Sequence, residues 1–166
     1  KGLRCPLATR AVTVGLGPVD LPGPPLVFVY LGRELPDYSH ASLRFAAKGY
    51  AGSTVLLTNS LHRLPGDSTY AVENFQEWYD PSHFQSFREN TTLDPYFRAG
   101  FWLHVVERFF VLRQYMEREK VDSLFHAELD VMVLDLTGVA ENCNAHGSGV
   151  FAVMDDSSRA LASLFY

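Results

Sequence analysis

The sequence of 166 residues has few cysteines and lacks any long apolar run. Its 2 cysteines, Cys5 and Cys143, lie far apart and fit no metal-binding spacing, so a zinc site built on paired cysteines is excluded. A long-range disulfide between them and two unpaired thiols are both compatible with the sequence. No apolar stretch approaches the roughly 20 residues of a membrane-spanning helix, and we therefore expect no membrane span in this chain.

Several motifs of catalytic sites are also missing. The sequence has no Gly-x-Ser-x-Gly and no P-loop, and no aspartate ends the apolar run at residues 26–31 as a phosphate-accepting nucleophile would. These absences disfavour hydrolases, phosphatases and nucleoside triphosphatases. Gly15 and Gly17 without a third glycine do not make a dinucleotide fingerprint. The net charge of -5 argues against a nucleic-acid-binding protein, although one small nucleotide site can be acidic.

The composition is that of a globular domain, with 47% hydrophobic and 20% charged residues. We expect residues 1–25, which are rich in proline and glycine, to form an extended lead-in with a short strand at residues 11–14. Residues 26–166 are long enough to form one domain with a sizeable core.

The start of this domain has the pattern of a strand, a helix and a second strand. Leu26–Leu31 is a continuous apolar run, which predicts a strand buried on both faces in a parallel sheet. A helix is expected from Pro36-Asp37 to Gly49, and a second strand runs from Ser53 to Leu57. The crossover between the strands should be right-handed, and ligands collect beyond the carboxyl ends of such strands. The residues predicted at this edge are Tyr30, Leu31, Gly32, Arg33, Thr58 and Asn59, and for each of them alone an ordinary loop role is the favoured alternative.

The middle of the chain has weaker signals. Residues 62–67 predict a turn and residues 70–72 a short strand, and residues 74–87 alternate aromatic and polar side chains. Those aromatics could cover a base or a sugar, but we favour a satellite core under a long connection. Asp94-Pro95 predicts the start of a helix that continues over Phe97–Arg118. Within it Glu107 and Arg108 lie among aromatics, which favours pairing with neighbours over contact with a nucleotide.

The end of the chain predicts a polar connection over Gly138–Gly149 and a buried strand over Val150–Met154. Ser157 or Ser158 could cap a last helix over Arg159–Tyr166. We expect more protein to follow this helix, because the chain stops within its apolar pattern.

The stretch from Val121 to Leu134 contains the strongest functional signal. Leu124–Ala127 is apolar and leads into two acids, Glu128 and Asp130, which would face one way in an extended chain. Two carboxylates at a strand end suit a hard divalent cation that also contacts substrate phosphates. The alternative is that they are solvated turn residues. His126 is expected to be a packed residue.

The order of these elements resembles the nucleotide-binding half of a GT-A type glycosyltransferase. The resemblance is carried by the two predicted strands, by the helix with Glu107-Arg108-Phe109-Phe110, by Leu124–Asp130, and by Ser148–Val153. It covers roughly residues 26–166, and its motifs are short and degenerate. Glu128 stands where these families usually have the first acid of Asp-x-Asp.

This resemblance implies a Rossmann-like, mostly parallel sheet with flanking helices and a metal-dependent transfer of a sugar from a nucleotide-diphosphate donor. Asp130 would bind Mn²⁺ or Mg²⁺, and Glu128 would contact the ribose or the metal. Tyr30–Gly32 would lie near the base, and a carbohydrate or another hydroxyl compound would be the acceptor. The acceptor site and catalytic base of these families usually lie beyond the part matched here, so no residue is predicted as the base.

A second interpretation is a non-catalytic or degenerate α/β module that binds a nucleotide or sugar or serves as an interaction partner. The sequence leaves the donor sugar, the base, the acceptor and the stereochemical outcome open. The compartment is also open: the Asn90-Thr91-Thr92 sequon has meaning only in a secretory lumen, and the chain would otherwise be cytoplasmic.

Overall fold

The computed structural model describes residues 23–60, 69–136, 138–147, 149–156 and 159–165. The predicted strand at 11–14, the predicted turn at 62–67 and Cys5 lie outside these residues. Within the described part, four α-helices and six strands are formed. The helices are α1 (Ser39–Gly49), α2 (Ser82–Asn90), α3 (Phe101–Glu119) and α4 (Val139–Ala145). The strands are β1 (Leu26–Tyr30), β2 (Thr54–Thr58), β3 (Ala71–Asn74), β4 (Phe125–Ala127), β5 (Ala152–Asp156) and β6 (Arg159–Phe165).

The strands form one sheet in the order β3-β2-β1-β4-β6-β5. β1 is central and pairs in parallel with β2 on one side and with β4 on the other. β3 extends the parallel part beyond β2, whereas β6 pairs antiparallel with both β4 and β5. The expectation of a mostly parallel α/β sheet with flanking helices is confirmed for the four strands β3, β2, β1 and β4.

β1 is buried on both faces, as its apolar sequence predicts. Leu26 and Phe28 point into a core that contains Leu43 of α1, whereas Val27 points into a second core that contains Val111 of α3. Successive side chains of a strand face opposite sides of a sheet, so one continuous apolar run supplies both cores. The sheet therefore lies between α1 and α3.

The order of the parallel strands creates a switch point between β1 and β4. From β1 the chain passes through α1 to β2 on one side, and after β3 it returns through α2 and α3 to β4 on the other side. Loops leave in opposite directions at such a point, and a crevice opens beyond the carboxyl ends of the two strands. In this chain those ends are Tyr30 and Ala127.

Two predicted helices differ from the structure. The helix predicted over Arg159–Tyr166 is wrong, because residues 159–165 form β6, whose backbone pairs with β4 and β5. The alanines and leucines of this segment favour a helix locally, but unpaired edges of the sheet offer it hydrogen bonds. The expected helix start at Asp94-Pro95 is also wrong. Asp94 Oδ1 instead accepts a hydrogen bond from the Tyr96 amide at 2.8 Å, and α3 begins only at Phe101.

Backbone conformation explains the late start of α3. Arg98, Ala99 and Gly100 have φ angles of 43°, 56° and 87°, which are left-handed, and helical hydrogen bonding cannot run through such residues. Two short helices were not predicted: α2 begins within the aromatic segment and extends beyond it to Asn90, and α4 lies within the expected polar connection and carries Cys143.

The aromatic residues of the predicted satellite core do pack into the protein. Phe75 is buried in the core under α3, and Phe84 of α2 lies against Phe110 with their ring centroids 5.7 Å apart. Among the described residues, the structure contains no helix with the length and apolar character needed to cross a membrane.

Candidate functional site

The acidic stretch lies at the switch point but is not extended. β4 ends at Ala127, and the Val131 amide donates a hydrogen bond to the Glu128 carbonyl at 3.0 Å, which closes a turn over residues 128–131. Leu129 is buried inside this turn, whereas Asp130 is exposed. The expectation of an extended chain at Glu128 and Asp130 is therefore wrong, because β4 ends before them and they lie in a turn.

Glu128 forms an ion pair with Arg108 of α3. Arg108 Nη1 lies 2.5 Å from Glu128 Oε1, and the two side chains are 10% and 31% exposed. Arg108 Nε also donates to the Val105 carbonyl at 3.2 Å. The odd position of Arg108 among aromatics was the available signal for a buried pairing, but the sequence could not name its partner. Oε1 of Glu128 is thus already paired with the Arg108 guanidinium.

The exposed carboxylate of Asp130 is the acid that remains open to a ligand in this turn. Within the described residues, no three His, Cys, Asp or Glu side chains are grouped so that they alone could hold a metal ion. Mg²⁺ and Mn²⁺ accept one or two carboxylates when phosphates and waters complete the shell. The turn therefore fits a cation that is carried on a bound diphosphate.

The loops after β1 and β2 are tied to each other. Ser60 Oγ donates to the carbonyls of Gly32 and Arg33, both at 2.7 Å, and the Ser60 amide donates to Thr58 Oγ1 at 3.0 Å. Thr58 is fully buried, so its side chain shapes the loop. The Tyr30 hydroxyl donates to the Glu34 carbonyl at 2.5 Å. Of the residues predicted here, Tyr30, Gly32, Arg33 and Thr58 therefore have parts engaged in holding the edge together.

The other two predicted residues of this edge, Leu31 and Asn59, line a cavity of about 300 Å³. This strand-end cavity lies beyond β1, β2 and β3 and beside α3. Its remaining lining residues are Phe75, Gln76, Tyr79, Pro81 and Glu107, and for the aromatics and Glu107 among them the sequence had offered a ligand contact as the less favoured alternative. To predict this cavity, one would have to know that the segment after β3 turns over the ends of β1 and β2.

Burial changes the acidity of two groups in the strand-end cavity. Removal from water raises the pKa of the Glu107 carboxyl, and His104, with Nδ1 3.7 Å from Glu107 Oε2, partly opposes this rise. Burial also raises the pKa of Tyr79, and the nearby Glu107 and Asp80 carboxylates raise it further. The cavity therefore combines a phenol that stays protonated with a carboxylate that is partly withdrawn from water.

His126 lies in β4 immediately before the turn and is fully buried. Its Nδ1 donates to the Val27 carbonyl at 2.8 Å, so the side chain links β4 to β1. Burial lowers the pKa of His126 to about 3, and the neighbouring Arg108 charge contributes to the decrease. His126 is thus a neutral packed residue at neutral pH, as the sequence suggested.

A second cavity, also of about 300 Å³, lies between α2 and the C-terminal half of α3. Its cationic groups are already paired: Arg113 with Glu117 at 2.9 Å, and Arg118 with Glu73 at 2.5 Å. It contains no residue from the ends of the parallel strands, where ligands of such sheets bind. We therefore take the strand-end cavity and the acidic turn as the candidate site.

Neither a protein-family model, nor a curated protein, nor a solved structure matches this chain. The comparisons assign no family. The placement of side chains at the switch point is consequently the basis for an assignment of function.

Proposed function

We propose that this chain is the donor-binding part of a metal-dependent glycosyltransferase that uses a nucleotide-diphosphate sugar and a hydroxyl acceptor. One observation carries the proposal: the turn with Glu128 and Asp130 follows the strand that forms one side of the switch point. The loop after β1 forms the other side, and the strand-end cavity opens beside it. In open α/β sheets nucleotides bind at this position.

The residues of the chain suggest a division of roles. Asp130 would bind Mn²⁺ or Mg²⁺ through its exposed carboxylate, together with the oxygens of the diphosphate. Such a cation stabilises the negative charge that develops on the departing diphosphate when the bond to the sugar breaks. Arg108 holds the carboxylate of Glu128, the first residue of the turn, through their ion pair. Glu128 would contact the ribose or the metal with its second oxygen.

The Arg108–Glu128 ion pair also favours a second candidate function. A carboxylate held by a mostly buried guanidinium is a less available metal ligand than one in water, as expected for a degenerate domain that binds without transferring. In that case the turn would be structural, and nucleotide binding would not depend on a cation.

The test is titration calorimetry of the chain with nucleoside diphosphates, with and without Mn²⁺. For the transferase we expect saturable binding that requires the cation, and Asp130→Ala should abolish the cation-dependent part. Glu128→Gln should cause a smaller loss than Asp130→Ala. Asp122→Ala is the matched control, because this exposed acid lies before β4, at the opposite end of the strand from the turn.

The results separate the two functions. Binding that is equal in Asp130→Ala and the parent chain would refute the role of Asp130 as a metal ligand. Binding that is equally strong with and without the cation would favour the non-catalytic module. A larger loss in Glu128→Gln than in Asp130→Ala would reverse the roles of the two acids.

A further inference from the structure

The walls of the strand-end cavity contain aromatic and apolar surface. The rings of Phe75 and Tyr79 pack edge to face with their centroids 5.7 Å apart, and Leu31 and Pro81 add apolar surface. The volume of about 300 Å³ is sufficient for a nucleobase. Bases in protein pockets are held between aromatic and apolar side chains and are distinguished by hydrogen bonds to their edges.

The polar groups of the cavity determine which hydrogen-bonding edge of a nucleobase would fit. Glu107 lines the cavity, its side chain is 21% exposed, and the amide-bearing residues Asn59 and Gln76 also line it. The Tyr79 hydroxyl is buried and forms no hydrogen bond with any residue in the described part of the chain. An ionised carboxylate only accepts hydrogen bonds, so a ligand that binds Glu107 beside His104 has to donate to it.

We propose that the strand-end cavity is a nucleobase subsite selective for guanine, in which Glu107 accepts two hydrogen bonds from the base. This inference rests on the proposed function and adds the identity of the base. Glu107 and Arg108 are neighbours on α3, and one lines the cavity while the other holds Glu128. A nucleotide with its base beside Glu107 would thus have its phosphates on the side of the acidic turn.

Guanine is favoured because of the order of donors on its edge. Its N1–H and N2–H₂ groups are adjacent, and together they match the two oxygens of one carboxylate. Uracil has a single N3–H between two carbonyl oxygens, which a carboxylate repels. Adenine and cytosine each present one amino group beside a ring nitrogen that accepts, so they form one bond next to a repulsive contact. A site that binds two donors discriminates against ligands that lack them, because its acceptor loses the hydrogen bonds that those donors make.

The experiment is titration calorimetry of the whole chain with GDP, IDP, UDP, ADP and CDP in the presence of Mn²⁺. We expect GDP to bind at least about tenfold more tightly than UDP, ADP or CDP, since each lost charged hydrogen bond is a large effect. IDP differs from GDP by the absence of the N2 amino group, and its binding should be roughly tenfold weaker. The comparison of IDP with GDP uses the unchanged chain and therefore does not depend on the folding of a variant.

Two variants complete the design. Glu107→Gln replaces one accepting oxygen by a donating amide, and it should reduce the preference for GDP over UDP by about tenfold or more. Glu117→Gln is the control on the same helix, because Glu117 is 59% exposed and lies outside the strand-end cavity. Its preference should equal that of the parent chain.

The outcomes distinguish this inference from the proposed function. Equal affinity for GDP and IDP, tighter binding of another base, or an unchanged preference in Glu107→Gln would overturn the guanine subsite. Cation-dependent binding of UDP with any of these results would leave the transferase proposal intact. Failure of every nucleotide to bind would overturn both.

Discussion

Replacement of Arg108 by Met and of Glu128 by Ala, singly and together, measures how strongly the acidic turn is held by α3. The pair is intermediate between a surface and a core ion pair, because Arg108 is 10% exposed and Glu128 is 31% exposed. Removal of Glu128 leaves a nearly buried guanidinium with the Val105 carbonyl as a remaining acceptor. Removal of Arg108 leaves a carboxylate that water reaches. Glu128→Ala should therefore destabilise the protein more than Arg108→Met.

The expected magnitude follows from the two limits. Breaking a fully buried pair costs about 3–5 kcal/mol, whereas an exposed pair contributes about 0.2–1 kcal/mol. With nearly a third of Glu128 in solvent, we expect Glu128→Ala to cost about 2 kcal/mol and the coupling energy of the pair to be about 1–2 kcal/mol. For a chain of this size, 1 kcal/mol corresponds to roughly 2–4 °C in Tm.

Urea unfolding of the four proteins of the cycle gives the coupling energy directly. Arg113 and Glu117 provide a control cycle on the same helix, with their atoms 2.9 Å apart and side chains 67% and 59% exposed. That coupling should be about 0.3–0.5 kcal/mol. If the coupling of Arg108 with Glu128 is no larger than in the control, the turn is not held by this pair. Glu128 would then be free for a ligand.

Two further predictions concern stability. Burial lowers the pKa of His126 in the folded protein from 6.5 to about 3. The stability that the neutral side chain provides is therefore fully present above pH 6.5, and it is lost as the pH falls towards 3, because the unfolded chain binds a proton first. The free energy of unfolding should therefore fall with decreasing pH by up to about 1.4 kcal/mol per pH unit. Urea unfolding between pH 7 and 4 should show a weaker dependence of this free energy on pH in His126→Gln. An equal dependence in the two proteins would contradict this explanation. A Cβ at Gly49 would collide with the backbone carbonyl of Leu134, so Gly49→Ala should cost about 1–3 kcal/mol by thermal unfolding. At Gly149 a Cβ would meet nothing within 4 Å, and an equal loss in Gly149→Ala would refute the steric explanation.

Part of the candidate site could be predicted from the sequence because it depends on the ends of local elements. Leu31 and Asn59 follow two strands whose apolar runs and closing polar residues are visible in the sequence. Their meeting at one edge follows from the parallel pairing of β1 and β2. For Glu107 and Tyr79 the sequence offered a ligand contact only as the less favoured alternative, because helix and loop residues reach the cavity only through the packing of α3 and of the segment after β3.

The ion pair of Glu128 with Arg108 likewise combines a signal in the sequence with a contact that only the tertiary structure provides. The sequence indicated that Arg108 was in an unusual place among aromatics, but Arg108 and Glu128 are separated by the end of α3, a connection and β4. Their contact depends on the packing of α3 beside β1. No local preference encodes a distance between these elements.

The sequence alone determined β1, β2, α1 and the apolar body of α3, since hydrophobic periodicity and helix breakers act over a few neighbouring residues. The tertiary structure decided that residues 159–165 form a strand, because backbone groups of β4 and β5 offer them hydrogen bonds that a helix preference does not outweigh. It also decided which charges meet at the switch point, because electrostatic pairs depend on distances that exist only after the helices have packed on the sheet.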